Sequence, residues 1–191
     1  MGIIHHKRIY GVNNLINTSL WNLIQEKINS TNLQFEDGQA FDTRKDIRKS
    51  KVSFLDDAYL REELAHSVSL YNKQHWNYDL DGCDSLQYGI YSDGGFYDWH
   101  LDIENEIKNI NGQYLIRKLS ITIWLNDPDE YEGGEFDIET KGPHMDLRYE
   151  TLKLPKGSIV IFPSDKWHRV RPVTSGVRKS LVMWFQGPPF R

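Results

Sequence analysis

His100 and Asp102 lie in a segment, 96–103, that we predict to be a strand. Side chains at positions i and i+2 of a strand point to the same face, so an imidazole and a carboxylate would converge there. The spacing alone is weak evidence, because His144 and Asp146 share it without strand-like apolar neighbours. A third group is needed before the pair indicates a metal site.

His168 supplies that third group, since it follows an apolar run at 159–162 and a turn. Arg178 stands further along, at the head of a predicted strand over 177–185. If the chain turns at 172–176, His168 and Arg178 face one cavity from neighbouring strands. Two imidazoles and one carboxylate on one side of an iron ion form the facial triad of non-haem Fe(II) oxygenases, and an arginine can bind a carboxylate through two hydrogen bonds.

The part of the sequence that precedes these residues predicts two helices. Apolar residues at helical spacing predict a helix over Leu15 to Ile28, with Asn13 or Asn14 as its N-cap. A second helix is predicted to begin near Asp56, with apolar residues again on one side. The first third of the chain is therefore expected to be mainly helical.

Beyond the helices the hydrophobic period changes from 3.6 to 2, which predicts strands. Glycine and proline separate these strands, as in a sandwich or barrel. The predicted strands are 52–55, 86–91, 96–103, 119–125, 135–138, 158–162, 167–170 and 177–185. No linker or repeat divides the chain, so we expect one domain over 1–191, with helical support over about 1–80 and a β core over about 85–187.

The composition limits the classes of protein. The 191 residues carry a formal net charge of −4, which argues against nucleic-acid binding by bulk charge. The single cysteine, Cys83, excludes an intramolecular disulfide framework and a multi-cysteine zinc site. Apolar runs are too short to span a membrane, and residues 1–7 lack the apolar stretch of a signal peptide, so we expect a cytoplasmic protein with no membrane partner. The sequence gives no indication of the oligomeric state.

Several motifs resemble the 2-oxoglutarate/Fe(II)-dependent dioxygenases of the prolyl 4-hydroxylase type, and are most similar to their small bacterial and phage branch. They occur in the order typical of the family, over about residues 85–187, and they are 87–102, 119–128, 131–136, 154–163, 168–170, 172–173 and 176–178. The resemblance implies a mainly β protein in which N-terminal helices support a double-stranded β-helix, the cupin-like jelly roll. The helical first half matches the family less well.

The resemblance also implies roles for individual residues. His100, Asp102 and His168 match the iron ligands, and Arg178 matches the residue that binds the distal carboxylate of 2-oxoglutarate. Tyr91 matches a tyrosine that lines the cosubstrate pocket, and Trp184 matches an aromatic residue near the iron.

One position departs from the family pattern. Trp124 stands where relatives often carry a tyrosine that helps to bind the distal carboxylate. Either Thr122 or Tyr91 takes over this task, or Arg178 acts with less help.

The implied activity is a dioxygenase that uses Fe(II), 2-oxoglutarate and O2, with ascorbate as an accessory cofactor, and that hydroxylates proline in a peptide or protein. A nucleic-acid dealkylating oxygenase of the same superfamily is one alternative. The pattern of that branch, however, has a further arginine at the position where Trp184 stands. A non-catalytic jelly-roll binding module is another, and it predicts broken ligand positions. In the basic run 44–51, which is typical of a solvated face, Arg48 or Lys51 could contact the prime substrate at the pocket mouth.

Overall fold

The structure of the protein is a computed structural model that describes residues 4–6, 10–13, 16–40, 46–103, 107–108, 111–142 and 144–190. Its helices are α1 (Thr18–Ser30) and α2 (Ala58–His75), with a short 3-10 turn at Pro128–Glu130. Its strands are β1 (Ile4–His6), β2 (Tyr10–Asn13), β3 (Glu36–Asp37), β4 (Arg48–Lys49), β5 (Lys51–Leu55), β6 (Gly82–Cys83), β7 (Leu86–Ser92), β8 (Phe96–His100), β9 (Ile107–Lys108), β10 (Tyr114–Trp124), β11 (Tyr131–Gly133), β12 (Phe136–Glu139), β13 (Tyr149–Leu152), β14 (Ile159–Pro163), β15 (His168–Val170) and β16 (Val173–Gly187).

The described strands form two antiparallel sheets. The larger sheet has the order β1-β2-β14-β10-β16-β7-β5-β3, with β11 and β6 paired to β16 and β9 paired to β10. The smaller sheet has the order β13-β12-β15-β8-β4. Two facing antiparallel sheets with helices outside them are the double-stranded β-helix that the sequence predicts, so the fold class is confirmed.

Strand alternation divides the apolar core into two layers, because successive side chains point to opposite faces. On β10, Leu119, Ile121 and Ile123 pack with residues of both helices in one buried cluster. Trp124, on the other face, belongs to a second cluster that joins the larger sheet to Phe136 and other residues of the smaller one. The helices therefore cover the outer face of the larger sheet, and its inner face is left for the space between the sheets.

Both helices begin at a side chain that accepts a backbone N–H. Asn17 caps α1, since its Oδ1 accepts the N–H of Leu20 at 2.9 Å. The prediction of Asn13 or Asn14 as this cap is wrong: Asn13 ends β2, and Asn14 lies outside the described residues, as does Leu15. The predicted start of the second helix is confirmed, because α2 begins immediately after two adjacent aspartates.

The predicted strand over 96–103 is too long at its end. Strand β8 stops at His100, because the N–H groups of Asp102 and Ile103 both donate to the carbonyl of Ser164 instead of a cross-strand partner. Asp102 therefore lies in a bend, not on the strand that carries His100.

Two further expectations about topology are corrected. His168 lies on β15 of the smaller sheet and Arg178 on β16 of the larger one, so the two residues are not on neighbouring strands. The first part of the chain also contributes strands β1 to β5 to the sheets, and is not only helical. Among the described residues, neither helix combines the length and apolar composition that crossing a bilayer requires.

Candidate active site

Three predicted ligand residues meet between the sheets. His100 ends β8 and His168 begins β15, and the two histidines are direct partners in the ladder between these strands. Asp102 follows His100 in the bend. One nitrogen of each histidine and one carboxylate oxygen lie within 4.8 Å of one another, and all three side chains are buried. Within the described residues this is the one such group of histidine, cysteine and acidic side chains, so His144 and Asp146 are not part of another.

The orientation of both imidazoles is fixed by backbone carbonyls. Nδ1 of His100 lies 2.7 Å from the carbonyl oxygen of Asp98, and Nδ1 of His168 lies 2.8 Å from that of Lys166. Since a carbonyl oxygen can only accept, each Nδ1 donates to it, and the opposite nitrogen, Nε2, is directed toward Asp102. These Nε2 atoms lie 3.7 Å and 3.4 Å from the carboxylate oxygens of Asp102.

The charges of these groups suit a divalent metal. Burial, and next the neighbouring His168, lower the pKa of His100 to about 3, so its imidazole is neutral at neutral pH. Burial by itself disfavours the Asp102 carboxylate, but His168, next His100 and then the Ser120 hydroxyl outweigh it and hold the pKa of Asp102 below its usual range. Two imidazoles and one ionised carboxylate are the donor set of a facial-triad Fe(II) site, so the residues present fit this metal.

A β-bulge brings an aromatic ring against His100. Val170 pairs with Tyr97 while His168 pairs with His100, so β8 has one more residue than β15 over this stretch. The extra residue puts Tyr97 and His100 on the same face, where their rings stack at 3.4 Å with an interplanar angle of 10°. Phe162 packs edge-on against His168, with ring centroids 4.8 Å apart. Both histidine rings are therefore held by aromatic contacts.

Arg178 lies in the same cavity and is 1% exposed. Its Nη1 donates to Ser180 Oγ at 3.1 Å, whereas Nε and Nη2 have no hydrogen-bond partner. No ion pair joins it to an acidic side chain in the described part of the chain, and burial lowers its pKa. A buried guanidinium with unpaired N–H groups is costly unless an anion binds it, so the site fits a ligand carboxylate.

The other residues predicted for the cosubstrate pocket lie around this cavity. Tyr91, Thr122 and Trp184 line it together with the three ligand residues and Arg178. The guanidinium carbon of Arg178 lies 5.3 Å from the centroid of the Tyr91 ring. The sequence-based set is thus brought together by the fold.

Of the two basic residues proposed for the pocket mouth, Arg48 lines the cavity and Lys51 does not. Arg48 donates from Nη2 to Gln87 Oε1 at 2.9 Å, and its guanidinium carbon lies 4.6 Å from the centroid of the Tyr97 ring. Lys51 has an exposed side chain that pairs with Asp37 at 2.8 Å. Positions 44 and 45 of the same basic run lie outside the described residues.

Tyr131 is a residue that the sequence-based reasoning missed. Trp124 is fully buried and does not line the cavity, whereas the buried Tyr131 hydroxyl also lacks a hydrogen-bond partner and lies beside Arg178. A Cβ built on Gly134 would lie 3.1 Å from both the Arg178 and the Tyr131 side chains, so the glycine allows this packing. The motif over 131–136 contained Tyr131, but only the fold shows its neighbour.

Comparisons with known proteins agree with this site. The model of the 2OG-Fe(II) oxygenase superfamily matches residues 86–186. A PKHD-type hydroxylase from Stenotrophomonas maltophilia (strain R551-3) is 41% identical over 102 residues, which cover 52% of this chain and 42% of the relative. A second PKHD-type hydroxylase, from Hyphomonas neptunium, is 43% identical over 94 residues, or 49% of this chain and 39% of the relative. The chain thus spans about two fifths of the length of the curated relatives it matches.

Solved structures share the fold across nearly the whole chain. A prolyl-4-hydroxylase from Pseudomonas putida superposes with a TM-score of 0.67 at 19% identity, covering 94% of this chain and 93% of that one. A prolyl hydroxylase from Trichoplax adhaerens, solved with a hypoxia inducible factor peptide fragment, gives 0.70 at 18% identity, covering 93% and 83%.

A jelly roll with a buried histidine–aspartate–histidine group is typical of non-haem iron oxygenases. The matched region extends over more than half of the chain, and the protein belongs to the 2OG-Fe(II) oxygenase superfamily.

Proposed function

We propose that the protein is an Fe(II)- and 2-oxoglutarate-dependent dioxygenase that hydroxylates a prolyl residue in a peptide or protein. One observation carries this proposal: the three ligand residues lie in the same cavity as a fully buried arginine that has unpaired N–H groups and no acidic partner in the described residues. A metal-binding group and a carboxylate-binding group side by side are what this cosubstrate requires.

His100, Asp102 and His168 are the residues that would hold the metal. Their burial excludes bulk water, and the backbone carbonyls behind both histidines keep each Nε2 directed to the carboxylate. Three protein ligands leave open coordination positions. When bound, Fe(II) would supply the redox chemistry. That chemistry converts 2-oxoglutarate and O2 to succinate and CO2, and couples this conversion to the hydroxylation of a C–H bond.

Arg178 would bind the distal carboxylate of 2-oxoglutarate through its free Nε and Nη2 groups. Thr122 lies on the lining of the same cavity and can offer a hydroxyl, while the rings of Tyr91 and Trp184 form its walls. The aromatic walls keep water from the arginine, which strengthens its interaction with an anion.

A peptide or protein substrate is supported by the relatives and by the cavity mouth. Curated relatives are named PKHD-type hydroxylases, and one structural neighbour was solved with a peptide fragment. In this chain Arg48 lies at the edge of the cavity and also lines an adjoining groove with the half-exposed Phe54. We assign substrate contact to Arg48. Lys51 has the weaker case for this role, because it pairs with Asp37 outside the cavity.

The test is to incubate the iron-loaded protein with 2-oxoglutarate and proline-containing peptides, and to follow succinate and a gain of one oxygen atom by mass spectrometry. Peptide hydroxylation that depends on 2-oxoglutarate supports the proposal. Oxidation confined to an alkylated oligonucleotide would instead identify the nucleic-acid dealkylase. Absence of metal binding and of succinate with both substrates would leave the non-catalytic binding module.

Further properties stay predictions. Stimulation of turnover by ascorbate tests its role as an accessory cofactor. Cytoplasmic location and the organisation of residues 1–191 as one domain rest on the sequence alone, and the oligomeric state can be measured by light scattering.

A further inference from the structure

Two serine hydroxyls are completely buried behind Asp102. Ser120 donates from Oγ to Asp102 Oδ2 at 2.7 Å, and its Oγ lies 2.9 Å from that of Ser164. Both serines are 0% exposed. Ser120 lies on the inner face of β10, and Ser164 follows the end of β14.

The direction of these hydrogen bonds follows from the number of protons available. A serine has one hydroxyl proton, and an ionised carboxylate can only accept. Because Ser120 donates its proton to Asp102, Ser164 must donate to Ser120. The two hydroxyls therefore form a directed chain that ends on the carboxylate, and such chains strengthen each bond within them.

The backbone of Ser164 connects the same segments. Its carbonyl accepts the N–H groups of Asp102 and Ile103, each at 3.0 Å, and its own N–H donates to the carbonyl of Lys118 at 3.0 Å. Ser164 also lies in the turn that leads to His168. One residue thus joins the bend of Asp102, the strand of Ser120 and the approach to the second histidine.

We propose that Ser120 is a positioning residue of the metal site: its hydroxyl, supported by Ser164, fixes the orientation of the Asp102 carboxylate before a metal binds. Oδ2 of Asp102 accepts this bond, whereas Oδ1 accepts none from the described residues and is left for the metal. Groups that orient metal ligands in this way contribute strongly to metal affinity. The inference rests on the proposed function, because it requires that the three ligand residues bind a metal.

The test measures metal binding without turnover. Co(II) is titrated into the metal-free protein of residues 1–191 and into its Ser120→Ala variant. The dissociation constant and the visible ligand-field spectrum are recorded. Loss of the orienting hydroxyl is expected to weaken Co(II) binding about 10- to 100-fold and to change the spectrum. Ser53→Ala is the matched control, since Ser53 is also buried but lies on β5, outside the metal site.

Each outcome decides the proposal. If Ser120→Ala binds Co(II) as the wild type does, with the same spectrum, or if Ser53→Ala weakens binding equally, the positioning role is refuted. Should Ser120→Ala fail to fold by circular dichroism, Ser164→Ala replaces it: weaker binding than in Ser53→Ala supports the proposal, and equal binding refutes it. A wild-type protein that binds no Co(II) refutes the metal site itself, and with it the proposed function.

Discussion

His100 and His168 face each other across strands β8 and β15, with ring centroids 4.1 Å apart and planes inclined by 54°. Each ring is tied at Nδ1 to a carbonyl two residues earlier in the chain. The two nitrogens that face Asp102 are therefore positioned by backbone geometry in one sheet. The contribution of each ring to metal binding can be tested by replacing one histidine at a time.

Replacement of His168 by alanine is expected to abolish both metal binding and succinate formation while the fold is retained. The reason is that two ligands cannot form the facial set that three provide. The measurement combines Co(II) titration, succinate release and circular dichroism. His66→Ala, at an exposed position of α2, is the control. Normal turnover in His168→Ala would refute the assignment of this ligand.

Replacement of Arg178 by methionine is expected to raise the 2-oxoglutarate concentration for half-maximal turnover about tenfold to a hundredfold. A charge-assisted, bidentate contact is worth roughly 1.5 to 3 kcal/mol. Since the change also removes a buried cation without an acidic partner in the described residues, the ligand-free variant should melt no lower than the wild type.

Thermal melting with and without 2-oxoglutarate separates these effects for Arg178. The wild-type Tm should rise when the cosubstrate is added, and that of Arg178→Met should not. Arg61→Met, which breaks the pair between this α2 residue and the exposed Asp56, should keep the full response. An unchanged requirement for 2-oxoglutarate in Arg178→Met would contradict its role.

Gly134→Ala is expected to overcrowd and so disturb the packing around Arg178. Gly134 has a φ of 64°, and an added Cβ would lie 2.9 Å from Val173 Cγ2 and 3.1 Å from Arg178 Cδ. Gly112 has a φ of 75° with nothing within 4 Å of its added Cβ. Both alanines incur about 1–2 kcal/mol of backbone strain, but only Gly134→Ala also displaces side chains. Urea unfolding and 2-oxoglutarate titration should show a larger loss for Gly134→Ala, and equal losses would contradict this account.

Asp57→Ala is expected to cost about 1 kcal/mol of unfolding free energy at neutral pH, because Asp57 caps α2 through the N–H of Leu60. That hydrogen bond, and next the ion pair with Lys27, lower the pKa of Asp57 in the folded state. A lowered folded pKa gives stability that is complete above the unfolded value of about 3.9 and is lost as the pH falls through the folded value.

The difference in unfolding free energy between wild type and Asp57→Ala should therefore shrink in acid. Urea unfolding at neutral pH and near pH 3 measures it. Asp56→Ala, at the exposed neighbouring position, should change stability much less. A difference that grows as the pH falls would show that the charge of Asp57 is not the stabilising feature.

Local pattern was sufficient for much of the fold. The apolar pattern over 119–125 predicted the strand that became part of β10. In the structure Thr122 lines the cavity, while Ile121 and Ile123 pack on the opposite face against the helices. The start of α2 was indicated by two aspartates immediately before an apolar helical pattern, and the structure shows that Asp57 is its cap. Such signals depend only on residues close in sequence.

Other features depend on contacts that sequence spacing does not contain. Asp102 lies in a bend because Ser164, far along the chain, accepts its N–H. The partner sheet of β15 and the position of Tyr131 beside Arg178 are set by how the sheets fold over each other. The motif residues could be named from the sequence, but the groups that orient them required the fold.

The distribution of the site over two sheets has a mechanical consequence. The histidines belong to the smaller sheet and the arginine to the larger one. A dicarboxylate bound at both ends would connect the smaller sheet to the larger one. Its binding should therefore slow amide hydrogen exchange in both sheets together. Without either the histidines or the arginine, the ligand would be held at one end only, and protection from exchange would be confined to a single sheet.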